Sequence, residues 1–291
     1  TICTTLVDTI VPGRIRDPKE AAAVAERLGY EDPFLAVREP FQMWGIQGDE
    51  SLKERLPFVK AGLPGVFVTP DVTPYKKRKV RILNGAHTAF VPGSWVAGFD
   101  IVRDCMHDET IRGFMNTMLY DEVIPTLAAD LDVEDCKAFA AAVENRFDNP
   151  FIDHALLSIC LNSTAKWRAR DLPTLKDYVA ETGNLPKCLS TSLATLIAFY
   201  TQELVAREGD GLHLRRADGT EYTAQDDAFV LDFYAAHAGV EDAELVHEVL
   251  TNEQMWGEDL TQIAGLEEFV VKALAVVRAE GVKQAFANAQ A

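Results

Sequence analysis

The sequence predicts a mainly α, multi-helical chain with a few short strands and one β-hairpin. From Thr73 onward, apolar residues recur at a spacing near 3.6 in one segment after another. Residues 1 to about 70 are instead broken by Pro and Gly between short apolar runs, as in a mixed α/β segment. Late in the chain, Asp218-Gly219 separates two short β-type runs, a strong tight-turn signal.

In chain order, Thr5 to Val11 reads as a strand ending at Pro12-Gly13, and Lys19 to Leu28 as an alanine-rich helix ended by Gly29. Phe41 to Ile46 and Val66 to Val68 read as further short strands. Thr73 followed by Pro74 is an N-cap plus first-turn proline, and Pro92-Gly93 supplies a stop, so a helix is expected from about Pro74 to Phe90. Apolar spacing then predicts helices over Trp95 to Cys105, Glu109 to Leu127, Asp135 to Asn145, His154 to Ala169, Leu172 to Thr182 and Leu189 to Arg207. Leu212 to Arg216 and Thr220 to Thr223 form the hairpin. Helices near Gln225 to His237, Asp242 to Thr251 and Leu260 to Ala285 close the chain.

With 291 residues, 48% of them hydrophobic, the chain is long enough for a large core. Its 28 Lys plus Arg against 45 Asp plus Glu leave a formal charge of -17, which argues against a nucleic-acid partner. An anionic substrate would need a local cationic pocket to overcome that field. The five cysteines show neither CxxC nor zinc-ligand spacing, so reduced thiols, a cytoplasmic setting and no metal are expected. No apolar run approaches a membrane span, and no signal segment is present. The chain begins at Thr1 without a methionine, as a fragment or processed product would. GxGxxG, GxxxxGK[ST] and HExxH are all absent.

The candidate chemistry begins in Lys79 to His87, which sets Lys79, Asn84 and His87 at relative positions zero, five and eight. On an α-helix they would lie at roughly 0°, 140° and 80°, with Leu83, Ala86, Phe90 and Val80 between about -20° and 100°. Lys79 would then face the apolar side, while Lys77, Arg78 and Arg81 centre on the opposite, solvent-facing side. A lysine among apolar groups is costly to keep charged, and a neutral amine is a general base able to take the proton of a secondary alcohol. A histidine and an amide beside it would hold the resulting oxygen. The spacing alone leaves a second reading open, in which Lys79 snorkels and the three polar residues share a helix by chance. Gly85, inside this helix, suggests close approach of a ligand or another backbone, or simple tolerance of a weak position.

A second cluster runs from Asn162 to Arg170. Asn162 and Lys166 are one helical turn apart, and Arg168 or Arg170 offers a bidentate fork for a carboxylate, although an ordinary solvated helix end would look the same. His107, His154, His213, His237 and His247 read as surface or core-edge residues.

In the segment KVRILNGAH, the pattern of Lys79, four residues, Asn84, two residues, His87 resembles the C-terminal signature of the mannitol dehydrogenase family of polyol-specific long-chain dehydrogenases. Thr4 to Asp8, Ile10 to Gly13, and Pro74-Tyr75 leading into RKVRILNGAHT are similar to its branch acting on tagaturonate and altronate, and the resemblance covers nearly the whole chain.

The resemblance implies that the chain is the C-terminal portion of such an enzyme. Residues 1–70 would be a mixed α/β segment adjoining an N-terminal Rossmann domain outside the chain, and residues 71–291 a helical substrate and catalytic domain. It implies NAD as cofactor, bound mainly by that absent domain, a sugar-acid substrate interconverted between D-tagaturonate and D-altronate, and no nucleic-acid or membrane partner. Lys79 would be the general acid/base, with Asn84 and His87 on the reacting oxygen. Lys166 matches a family lysine that contacts substrate, and Arg168 and Arg170 are further substrate-binding candidates. Ser158 stands where polyol-acting members commonly carry arginine, and Thr9, next to Asp8, stands where VDRI-type sequences do. The alternatives are a fructuronate/mannonate or mannitol-type dehydrogenase, or a helical binding module without catalysis of its own.

Overall fold

The computed structural model describes residues 2–15 and 17–291. Helix accounts for 59% of the chain and strand for 11%, so the fold is mainly α. It divides into two compact units, residues 1–79 with 150–153, and residues 80–149 with 154–291.

The first unit holds a three-stranded sheet of β1 (Thr5–Asp8), β2 (Met43–Gln47) and β3 (Val66–Thr69). β1 runs antiparallel to β2, whereas β2 and β3 are parallel and joined through the short helices Glu50–Arg55 and Pro57–Lys60. The helix expected over Lys19 to Leu28 spans Pro18–Leu28, with Asp17 accepting from the Lys19 amide at 2.8 Å, and it stops as expected at Gly29, in the left-handed region.

The second unit is built around the helix Lys187–Tyr200, in which every residue after Lys187 is buried. It packs against the helices Gly85–Val96, Leu266–Glu280 and Val282–Gln290. Gly93 makes one of these crossings possible, since a Cβ there would come 2.7 Å from Phe286 Cζ and 3.0 Å from Thr195 Cβ. The Pro92-Gly93 stop is therefore a correction: the helix runs on to Val96 because burial on all sides outweighs the hydrogen bond that Pro92 cannot donate.

Other boundaries moved for local reasons. The helix expected over Leu189 to Arg207 ends at Tyr200, and Glu203–Glu208 is a strand, β4. β4 pairs antiparallel with β5 (Gly211–Arg215), and β5 with β6 (Glu221–Ala224), so the hairpin belongs to a second three-stranded sheet. The short apolar run Leu204-Val205-Ala206 fits either a helix or a strand, and only pairing with β5 selects the strand. The helix expected over His154 to Ala169 is broken at Asn162, whose φ of 53° is left-handed, giving Leu156–Ile159 and Ser163–Arg170. Gly281, at φ 91°, likewise separates Leu266–Glu280 from Val282–Gln290.

Candidate active site

The helix expected from Pro74 is α-helical over Thr73–Arg78, π-helical over Lys79–Asn84 and α-helical again from Gly85. A π segment bonds i to i+5, so the 100° wheel does not carry through it, and such turns concentrate at functional sites. The expectation that Arg81 faces solvent fails accordingly. Its side chain is 12% exposed, donates to Thr174 Oγ1 at 2.5 Å and pairs with Asp177 at 3.1 Å. Lys77 and Arg78 are half-buried rather than solvent-facing.

In the first unit, Lys79 is not set on a purely apolar face. Its Nζ donates to the carbonyl of Val7 at 2.9 Å and lies 4.0 Å from Oδ1 of Asp8, whose side chain is only 2% exposed. β1 carries both partners, so the strand the sequence places at Thr5 orients the lysine.

In the second unit, His87 is buried, and its imidazole stacks on Phe147 with centroids 4.0 Å apart and 14° between planes. His154 meets it edge-on at 5.5 Å. Burial, then the charges of His154, Arg170, Arg146 and Lys166, holds the His87 pKa well below the ordinary imidazole value, so the ring is neutral at neutral pH. Its Nε2 is buried without a hydrogen-bond partner. A buried polar atom left unmatched is expensive unless a ligand completes it.

The cations near His87 come from two helices. Trp167 is fully buried, donating to Ser192 Oγ at 2.9 Å and meeting Trp256 edge to face, and it fixes the rotation of the Ser163–Arg170 helix. Lys166 and Arg170, four residues apart, then share a side. Lys166 donates to the Ile159 carbonyl at 2.8 Å, and burial, followed by Arg170, lowers its pKa. Arg170 Nη1 donates to Thr88 Oγ1 at 3.0 Å and to the Asn84 carbonyl at 3.4 Å. Arg168 does not join them: it is exposed and lies against Gly257, where a Cβ would come 3.1 Å from its Nη2. Asn162 is exposed and outside the helix, so it does not share a face with Lys166.

Sequence reasoning missed Arg146, Thr88 and Asp171, and set His154 aside. His154 is brought to His87 by the Ile101–Ala155 bridge, with Val102 N donating to its carbonyl at 3.0 Å. Gly85 admits a side chain rather than a backbone, since a Cβ there would lie 2.8 Å from Asp171 Oδ1. Asp171 is buried, and desolvation raises its pKa well above the carboxylate range despite the nearby Arg170 and Arg81.

The start of the Glu50–Arg55 helix is not a phosphate cradle. The parallel β2-to-β3 connection opens its helix with Asp49 and Glu50, and Asp49 itself caps the Ser51 amide at 2.9 Å, placing a carboxylate where a phosphate would sit. Among the described residues no cluster of His, Cys, Asp and Glu could hold a metal ion, and no helix is long and apolar enough to cross a membrane.

Residues 71–278 match the family model described as the mannitol dehydrogenase C-terminal domain. The chain is 41% identical to the altronate oxidoreductase of Yersinia enterocolitica over 293 residues, covering 99% of this chain and 57% of that protein. It is 44% identical to that of Klebsiella pneumoniae over 291 residues, covering 98% and 56% respectively. The chain thus spans a little over half the length of these relatives. Among solved structures it is similar to Pseudomonas fluorescens mannitol 2-dehydrogenase in ternary complex with NAD and D-mannitol, with a TM-score of 0.78, 21% identity, and coverage of 98% of this chain and 54% of that one. A substrate-free D-sorbitol dehydrogenase gives 0.75 and 20%, again over 98% and 54%. At such identities these two likenesses speak for the fold alone.

Proposed function

This chain belongs to the mannitol dehydrogenase family, and on that premise we propose that it is the C-terminal portion of an NAD-dependent oxidoreductase interconverting D-tagaturonate and D-altronate. Residues 1–70 adjoin the Rossmann domain of the whole enzyme, residues 71–291 handle the substrate, and NAD is bound mainly by that domain outside this chain. The observation that carries the reading is the buried, neutral His87 with an unmatched Nε2, set among Lys166, Arg170 and Arg146 in a chain of formal charge -17. A local cationic cluster of this kind suits an acidic sugar, and the altronate oxidoreductase relatives support the same substrate class.

In the proposed roles, the Lys79 ammonium delivers a proton to the carbonyl oxygen during reduction, and the amine takes it from the hydroxyl during oxidation. Asp8 and the Val7 carbonyl hold that ammonium in place. The Asn84 amide and the His87 imidazole hydrogen-bond the reacting oxygen, whose developing charge they stabilise in a desolvated setting. Lys166 contacts the substrate. Arg168, exposed against Gly257, has no part in it.

The test is a substrate panel with NADH on the full-length protein: tagaturonate, fructuronate and fructose. Turnover of tagaturonate with the highest kcat/KM is expected. Preference for fructose would overturn the sugar-acid reading, and preference for fructuronate would move the enzyme to the mannonate branch.

A further inference from the structure

Resting on the sugar-acid reading, we propose that Arg170 is the residue that recognises the substrate carboxylate, and that Thr88 is the positioning residue that aims it. Three cationic side chains act on His87, but they are not equivalent. Arg146 is 9% exposed. Lys166 has its ammonium committed to the Ile159 carbonyl. Arg170 is only half committed: Nη1 is held by Thr88 Oγ1 and the Asn84 carbonyl, while Nε and Nη2 make no hydrogen bond among the described residues.

Among the described residues Arg170 has no ion pair within 4.0 Å, and its neighbour Asp171 acts on it through charge alone. Burial lowers its pKa against the opposing pull of Asp171, so its charge is partly stripped of water. Two parallel N–H donors on one planar cation match the two oxygens of a carboxylate, a geometry a lysine ammonium cannot offer. The Thr88 hydroxyl fixes the fork. It donates to the Asn84 carbonyl at 2.9 Å and accepts from Arg170 at 3.0 Å, so the guanidinium is anchored to the same turn that carries Asn84. A carboxylate gripped at Arg170 is thereby placed at a set distance along the substrate from the amide of Asn84. The sequence singles out Arg168 and Arg170 equally; with Trp167 turned into the core, Arg168 is left exposed and Arg170 half-buried.

The experiment uses the full-length enzyme with NADH and a hexuronate that the wild type reduces. Absence of turnover on every sugar acid refutes the substrate reading itself, before any variant is made. Given turnover, Arg170→Ala should raise KM for the sugar acid by about 10- to 150-fold with kcat changed much less, the factor expected for losing hydrogen bonds to a charged group. Guanidinium ion added in solution should restore part of that loss, and urea at the same concentration should not. Arg170→Lys should be intermediate, since it keeps the charge but not the fork. Thr88→Val should raise KM by about 3- to 10-fold, as a single neutral hydrogen bond would. An unchanged KM in Arg170→Ala, a loss confined to kcat, or restoration by urea as well as guanidinium would overturn the assignment. If Arg170→Ala shows no cooperative thermal transition, the Arg170→Lys and Thr88→Val values of KM decide in its place, and wild-type values in both overturn it.

Discussion

His87 lies face to face with Phe147, ring centroids 4.0 Å apart and planes 14° from parallel, with His154 edge-on at 5.5 Å. Both imidazoles are desolvated by burial, and protonation of His87 would also bury a charge beside Arg170 and Lys166. Burial pulls the His154 pKa from 6.5 down to about 4, and His87 is held well below its usual value. A histidine whose folded pKa is depressed contributes stability that is present above the unfolded value and lost as pH falls through it. The folded protein should therefore weaken below pH 6.5 on account of this pair. Replacing His154 with Gln should reduce that acid sensitivity, by no more than about 3 kcal/mol at pH 4, read from denaturant melts of both proteins across pH. Equal pH dependence in the two would contradict the assignment.

Lys79 is held by the Val7 carbonyl and faces Asp8. Lys79→Ala in the full-length enzyme should cut turnover by about 100-fold or more and remove the limb of the pH–rate profile that belongs to the acid/base group. Near-normal turnover with an unchanged profile would rule the lysine out.

Gly93→Ala opposes two effects of different size. Alanine gains up to about 1 kcal/mol of helix propensity over glycine. Its Cβ would sit 2.7 Å from Phe286 Cζ, a ring already stacked on Phe114 at 3.9 Å and unable to retreat. Overpacking should win, with a net loss of about 1–2 kcal/mol in chemical unfolding. A more stable variant would show that the crossing relaxes.

Glu122 is buried, and its two carboxyl oxygens accept from the Cys188 and Leu189 amides at 2.7 and 2.9 Å, capping the central Lys187–Tyr200 helix from another element. Desolvation pushes its pKa up to about 7, against the pull of those two hydrogen bonds. The folded form then binds a proton more readily than the unfolded one, so the stability due to this group rises as pH falls from about 7 toward 4.5, the opposite sign to the histidines. Glu122→Gln should cost about 1–3 kcal/mol at pH 8, because its amide NH2 confronts one of the two backbone donors. Relative to this variant, wild type should gain stability as pH drops, and a flat difference between pH 8 and 5 would count against the shift.

Much of this chain was legible in order of residues. The stop at Gly29, the Asp218-Gly219 turn and the run of helices follow from propensity and period, because those signals are local. The spacing of Lys79, Asn84 and His87 was likewise there to be read, since it is a pattern along the chain. Tertiary structure alone decided the rest. A strand at Glu203–Glu208 exists only because β5 pairs with it, and the helix passes Pro92 only because Gly93 lets it press on Thr195 and Phe286. The choice between Arg168 and Arg170 depends on which way Trp167 turns the helix, and the charge state of His87 on Phe147 and His154, sixty and more positions away in sequence. Such outcomes depend on desolvation and contact between distant segments, and no local pattern records either.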